Sequence, residues 1–266
     1  MLNKRVISAL LFLPVFYIVA WKLPPVYFTL LVIAMAATGQ NEFYRMAQAR
    51  GFRPLLMLGT ALGALVVLDP YYPLHRSMGM LFPLTASMLL IMIARLFSQR
   101  PVEGAIEDVA STFIGVFYVA ALFAYQVAIR TGAEGKQWLV FLYFVIWASD
   151  IGAYSIGIPF GKHRLYEKVS PKKSIEGLAG ALAASAGMAV LCRIWFMPAI
   201  GLGEVVAIAL ALAVVGTVGD LVESLFKRAA GVKDSGTLIP GHGGILDRMD
   251  SMLFAAPVLY YYLKMR

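Results

Sequence analysis

The stretch LGEVVAIALALAVVGTVGDLVESLFKRAAGVKDSGTLIPGHGGILDRMD, residues 202–250, carries the decisive reading. From Leu202 to Leu221 it is apolar apart from Glu204, Thr217 and Asp220. An apolar run of about 20 residues, rising about 1.5 Å per residue as a helix, crosses the roughly 30 Å hydrocarbon core of a bilayer. Without a break the run then passes into acids, bases and glycines between Gly219 and Asp250. Ionisable groups at or beside membrane depth are costly, so they mark a functional site by default.

Working outward, the same apolar texture recurs along the chain. Candidate spans lie at about 5–21, 24–40, 54–69, 77–95, 109–129, 137–156, 175–197, 202–221 and 250–264. The expected fold is an all-α, polytopic integral membrane protein of about nine transmembrane helices, with a polar cavity facing the cytoplasm in its C-terminal half. Breaks carry helix-stopping residues: Pro24-Pro25, Arg53-Pro54, Asp69-Pro70, Arg100-Pro101, Pro198 and Gly201. Across all 266 residues, 60% are apolar and only 14% charged. Soluble domains carry about 45–50% and about 25%, so lipid is the expected solvent. No stretch is polar enough to form a separate soluble domain. The expected organisation is one integral unit, with residues 1–100 as scaffold or lipid entry and 101–266 as the catalytic region.

The net charge of +8 is dispersed in short loops, which points to topology and anionic phosphates and not to nucleic acid. Of 23 Lys and Arg, sixteen fall on the N-terminus and the second, fourth, sixth and eighth loops, six on the other side, and Arg193 within a helix. This bias places the N-terminus and both long polar loops in the cytoplasm. Lys4 and Arg5 before an apolar run resemble a signal sequence, but no cleavage pattern follows and the segment reads as a retained helix. Cys192 is the only cysteine, which excludes an internal disulfide or a thiol-rich metal site, and three scattered histidines make no zinc site. Small residues at four-residue spacing, Gly177, Ala181, Ser185 and Ala189, with Ala209, Ala213 and Thr217 as a second stripe, predict close helix packing.

Asp220, Glu223, Ser224, Lys227 and Arg228 stand at i, i+3, i+4, i+7 and i+8, so one helical face carries all five. Asp247 and Asp250, three apart, share a face at the start of the last segment. Asp250 reads equally as a helix-start acid complementing the dipole. If Asp247 meets Asp220 across the bundle, a cation must lie between them, and hard oxygen ligands select magnesium or calcium. Pro240-Gly241-His242-Gly243-Gly244 is a loop whose glycines permit positive φ and close approach to phosphate. A second basic cluster spans Lys162 to Gly177, including Lys172, Lys173 and Ser174. Trp147, Asp150 and Tyr154 line one face of the segment before it.

The run Ser224, Lys227, Arg228, Lys233, Asp234, Pro240, His242, Gly243, Gly244, Asp247, Arg248 and Asp250 resembles the signature of the phosphatidate cytidylyltransferases, the CDP-diacylglycerol synthases. Trp147/Asp150/Tyr154 and Ser170-Pro171-Lys172-Lys173-Ser174 are similar to further family features, with Ser174 where threonine is common. The resemblance covers roughly residues 100–266. It implies an enzyme of a bacterial-type inner membrane joining CTP to phosphatidic acid, with CDP-diacylglycerol and pyrophosphate as products. It further implies that Asp220 and Asp247 hold magnesium, joined by Glu223 and Asp150 as ligands or supporting groups. Lys227 and Arg248, with Lys172, Lys173, Arg228 and Lys233, would contact phosphates. Ser174, Ser224, Asp234, His242, Gly243 and Gly244 would complete the substrate site. A second, monovalent cation and a homodimer are compatible with the sequence, and no residue demands either. Two rivals stand beside this reading. One is a CTP-dependent kinase of a polyprenol-like lipid alcohol, releasing CDP. The other is a transporter, which would more often show broken helices in two repeated halves.

Overall fold

The structure, a computed structural model, describes residues 16–72, 81–237 and 243–266. The chain divides into two compact units, Met1–Gly132 with Ala229–Arg248, and Ala133–Arg228 with Met249–Arg266. Among the described residues, four helices are long and apolar enough to cross a membrane: Ala105–Thr131, Gly135–Phe160, Ile175–Phe196 and Leu202–Ala230. Leu56–Leu68 and Leu81–Leu96 are shorter apolar helices. The first expected span, 5–21, lies mostly outside the described residues, as does the start of the fourth.

The first unit is built on α1 (Pro25–Ala49), α2 (Leu56–Leu68), α3 (Leu81–Leu96) and α4 (Ala105–Thr131). Proline opens α1 at its first helical position, where its missing N–H costs nothing. α4 has a π-helical centre, Gly115–Ala121. There Tyr44 Oη donates to the Thr112 carbonyl at 3.0 Å, drawing on a helical acceptor at the point where the ladder changes. Arg130, near the end of α4, donates to the carbonyls of Ala20 at 2.7 Å and Leu23 at 2.9 Å, beside the π-helical turn Ile18–Lys22. These are carbonyls of the kind a helix end leaves without an internal donor. Arg95 and Asp108, both buried, pair at 3.0 Å, and Asp108 also accepts the backbone N–H of Arg53 at 3.0 Å. This ties α3 and α4 to the bend between α1 and α2.

The second unit contains α5 (Gly135–Phe160), a hairpin of β1 (Arg164–Tyr166) and β2 (Ser170–Ser174), α6 (Ile175–Phe196), most of α7 (Leu202–Ala230) and most of α8 (Leu246–Met265). The antiparallel hairpin departs from the all-helical expectation. Glu176 accounts for part of it, because its carboxylate accepts the backbone N–H groups of Lys162 and His163 at 3.1 and 3.3 Å and fastens the hairpin base to α6. α6 starts where Ser174 Oγ accepts the Gly177 N–H at 3.1 Å, an N-cap worth about 1 kcal/mol. Gly177, Ala181, Ser185 and Ala189 are all buried, so the small-residue stripe is a packing face. Beside Ala181, a Cβ on Gly180 would stand 2.6 Å from the Gly152 carbonyl oxygen of α5, and only glycine allows that approach. The opposite flank of α6 leaves Leu191, Ile194 and Trp195 exposed. An outward apolar surface of this kind suits lipid and would be a liability in water.

Candidate active site

α7 continues nine residues beyond its expected end at Leu221, so the polar face read from spacing is helical throughout. Two same-face pairs form as the i, i+4 geometry dictates. Ser224 Oγ donates to Asp220 Oδ1 at 3.4 Å, and Lys227 Nζ pairs with Glu223 Oε2. Gly219 brings α7 flush against α8, since a Cβ there would lie 2.6 Å from the Asp250 carbonyl oxygen. The result is an acidic cluster in the second unit. One carboxylate oxygen each from Asp220, Glu223 and Asp250 lies within 4.8 Å of the others. Asp150 stands on α5 and interacts electrostatically with Asp250.

Three carboxylates this close repel one another unless cations intervene. Two lysines supply part of the compensation. Lys173 Nζ stands 2.7 Å from Asp220 Oδ2, at the end of β2, and also points its ammonium at the Thr217 carbonyl at 3.5 Å. Lys227 serves Glu223, which is fully buried. All-oxygen, anionic donors of this span suit a hard divalent cation, whose ligand distances run about 2.0–2.6 Å. The residues therefore fit magnesium. Around the cluster the hairpin keeps Lys172 and Arg164 exposed, while Arg228 Nε reaches the Val169 carbonyl at the hairpin turn at 3.4 Å. Ser174, expected at the substrate, directs its hydroxyl to the cap of α6.

The remaining expected residues lie in the first unit. Asp247 Oδ2 accepts hydrogen bonds from Ser235 N at 2.8 Å, Ser235 Oγ at 2.9 Å and Gly244 N at 2.7 Å. Asp250, one turn further along α8, is the acid that stands with Asp220 and Glu223. Gly243 has φ +82°, and a Cβ on it would lie 2.5 Å from Asp247 Oδ2. The positive φ expected of this loop is present at Gly243, and Gly244 is closed in by Ser235 and Glu42. Lys233, Asp234 and Arg248 are exposed. His242 lies outside the described residues.

Two acids of the structure stand differently in the sequence. Asp250 reads from the sequence as either a ligand or a helix-start acid, because its direction depends on the rotation of α8. Glu42 was passed over, although it and Asp69 are the only acids in the first 100 residues. Its carboxylate is buried and meets the same loop as Asp247. An open depression of about 820 Å³, lined by Gln48, Arg53, Met57 and Arg100 among others, belongs to the first unit and holds none of the clustered acids.

Comparison with known proteins identifies the family of the chain. The profile of the Cytidylyltransferase family matches residues 3–266. A phosphatidate cytidylyltransferase of Bacillus subtilis is 34% identical over 262 residues, covering 97% of this chain and 94% of that protein. Its counterpart in Synechocystis sp. is 32% identical over 266 residues, covering 89% of this chain and 88% of that protein. A third, from Staphylococcus saprophyticus, is 42% identical over 152 residues, covering 57% of this chain and 58% of that protein. With a family match spanning nearly its whole length, this chain belongs to the cytidylyltransferase family.

Proposed function

We propose that this protein transfers the cytidylyl group of CTP to phosphatidic acid, forming CDP-diacylglycerol and pyrophosphate. The observation that carries the reading is the acidic cluster of Asp220, Glu223 and Asp250, flanked by Lys173 and Lys227, in a chain similar along almost its full length to phosphatidate cytidylyltransferases.

A phosphate oxygen of phosphatidic acid attacks the α-phosphorus of CTP, the α–β anhydride bond breaks, and pyrophosphate leaves with its electron pair. No protein nucleophile is needed, so the protein contributes positioning and charge neutralisation. Asp220, Glu223 and Asp250 would hold magnesium, with Asp150 as a supporting group. The ion, when bound, neutralises phosphate oxygens and charge on the leaving group. Ser224 orients Asp220 through the hydrogen bond to Oδ1. Lys173 and Lys227 hold the carboxylates in place and present ammonium groups to incoming phosphates. Lys172, Arg228, Lys233 and Arg248, exposed around the two polar loops, attract CTP and the lipid phosphate. Asp247 orders the loop that begins α8, and Gly243 and Gly244 give its backbone the tight path it follows. Asp234 and His242, from the same polar stretch of sequence, would contact substrate. Ser174 acts through the start of α6.

The setting follows from the substrates. Phosphatidic acid keeps its acyl chains in lipid while CTP arrives from water. The site therefore opens to the cytoplasm of a bacterial-type inner membrane, in a polar cavity of the C-terminal half with a lateral gap for the lipid. About nine spans and a cytoplasmic N-terminus match the distribution of Lys and Arg. Purified protein in detergent–lipid micelles, given phosphatidic acid and α-labelled CTP, should move label into a lipid product and release pyrophosphate. Label recovered as soluble CDP, with phosphorylation of an added polyprenol, would replace this reading with a lipid kinase.

A further inference from the structure

The N-terminal helices contribute one carboxylate whose surroundings differ from those of an ordinary buried acid. Glu42, in the last third of α1, is 5% exposed, and three donors from residues about two hundred positions away converge on it. Its Oε1 accepts the Ile245 N–H at 2.9 Å. Its Oε2 accepts the Leu246 N–H at 3.0 Å and the Ser235 hydroxyl at 3.0 Å. Leu246 is the first residue of α8, so Glu42 caps that helix from a different part of the chain. The N–H groups at a helix start have no partner inside the helix, and a carboxylate there also meets the positive end of the dipole.

Asp247 completes the arrangement from the other side. Its Oδ2 accepts the N–H groups of Ser235 and Gly244, and the Ser235 hydroxyl lies between the two carboxylates, its single proton shared between Asp247 Oδ2 at 2.9 Å and Glu42 Oε2 at 3.0 Å. Two backbone stretches, Ser235–Gly236 and Gly243–Leu246, are thereby held to each other and to α1. A Cβ on Gly236 would lie 2.7 Å from Glu42 Oε1, and Gly244 is similarly pressed against the Glu42 carboxyl group. These stretches leave Lys233 and Arg248 exposed at their outer ends. They also begin the helix that bears Asp250.

We infer that Glu42 is a positioning residue for cytidylyl transfer: from the N-terminal helices it clamps the backbone on which Lys233, Arg248 and the start of α8 are presented to CTP. It touches no reacting atom and acts through Ser235, Ile245 and Leu246. The inference rests on the reading of the chain as a CTP-dependent transferase. It gives the first 100 residues a task beyond scaffold.

A carboxylate is the group the geometry requires. Glutamine at this position would keep one acceptor and turn an NH₂ toward a backbone N–H or the serine hydroxyl. The side chain would still fill its space, so loss of function need not mean loss of fold.

The test uses the full-length protein in detergent–lipid micelles and compares wild type, Glu42→Gln, Ser235→Ala and the double variant. Rates are measured against CTP at saturating phosphatidic acid and the reverse, with the melting midpoint of each protein recorded. Expected are melting midpoints lowered by only a few degrees in the single variants, each still folded at the assay temperature, and a fall in kcat/KM for CTP of about tenfold or more, the scale seen when a supporting carboxylate is lost. KM for phosphatidic acid should stay near wild type. The double variant should be no worse than the poorer single one, because both changes open the same clamp. Losses that merely track the folded fraction, effects that multiply in the double variant, or unchanged CTP kinetics in Glu42→Gln would overturn the inference. If Glu42→Gln does not fold, Ser235→Ala decides alone by its kcat/KM for CTP. A wild-type protein that makes no CDP-diacylglycerol at all would instead overturn the function itself, and the inference with it.

Discussion

Replacing Glu223 with glutamine separates the structural and chemical work of the acidic cluster. Glu223 is fully buried, and its ion pair with Lys227 spans one helical turn of α7. Removing one partner of a buried pair costs about 3–5 kcal/mol when the other charge is left alone. Lys227 is 11% exposed, and a glutamine carbonyl can still accept from its ammonium, which brings the cost to about 2 kcal/mol. For a chain of this size that is about 4–8 °C in an apparent melting midpoint. The chemical loss should be far larger. Supporting groups around metals are worth about 10–100-fold, and a ligand at least the upper end, so turnover should fall by about 100-fold or more. Fluorescence-detected size-exclusion after heating measures the first quantity, and label transfer from α-labelled CTP measures the second. The double variant Glu223→Gln/Lys227→Met should regain stability, because it leaves no buried charge unpaired, and should remain inactive. Recovery of wild-type turnover in that double variant would refute the reasoning, since Glu223 would then be only half of a structural ion pair.

Two further outcomes follow from the same geometry. Gly180→Val places side-chain carbon against the Gly152 carbonyl of α5, and overpacking of this kind costs about 1–3 kcal/mol; the fraction of monodisperse protein after heating should fall, and an unchanged profile would mean that α5 and α6 are not in close contact. Ser174→Ala removes the N-cap of α6 and should lower the melting midpoint by the equivalent of about 1 kcal/mol while turnover stays within a few-fold. A large loss of turnover with an intact melting profile would instead put the Ser174 hydroxyl on a substrate.

Much of this site was legible in the sequence, and the boundaries of legibility have physical causes. The polar face of α7 follows from helical spacing alone, because i, i+4 neighbours meet wherever the helix continues. The buried stripe of α6 is equally local, since only small residues at four-residue intervals permit such an approach. Asp250 was a different problem. It and Asp247 lie about one turn apart on α8, and the direction each one takes is set by how that helix is rotated against its neighbours. Neither composition nor period contains that angle. Glu42 was hidden for the same reason in stronger form, since its partners are Ser235, Ile245 and Leu246, some two hundred residues away. The hairpin at 164–174 has no signal in the sequence either. Its sequence, with Pro171 and two adjacent lysines, has little strand character, and long-range anchoring by Glu176 overrides local preference. Hydropathy placed the helices of the C-terminal half to within a few residues, except where α7 runs on past Leu221. It cannot register such an extension, because the added turns are polar.

The most direct test of the central claim, that Asp220, Glu223 and Asp250 form the metal centre of a cytidylyltransferase, is a magnesium titration of label transfer. Wild type, Asp220→Asn and Asp250→Asn are each assayed with phosphatidic acid and α-labelled CTP after treatment with a chelator. The account predicts saturable, magnesium-dependent formation of labelled CDP-diacylglycerol by the wild type. Both variants, folded and inserted, should give only background transfer at any magnesium concentration. Wild-type rates in either variant, or full transfer by the wild type in the chelator alone, would contradict it.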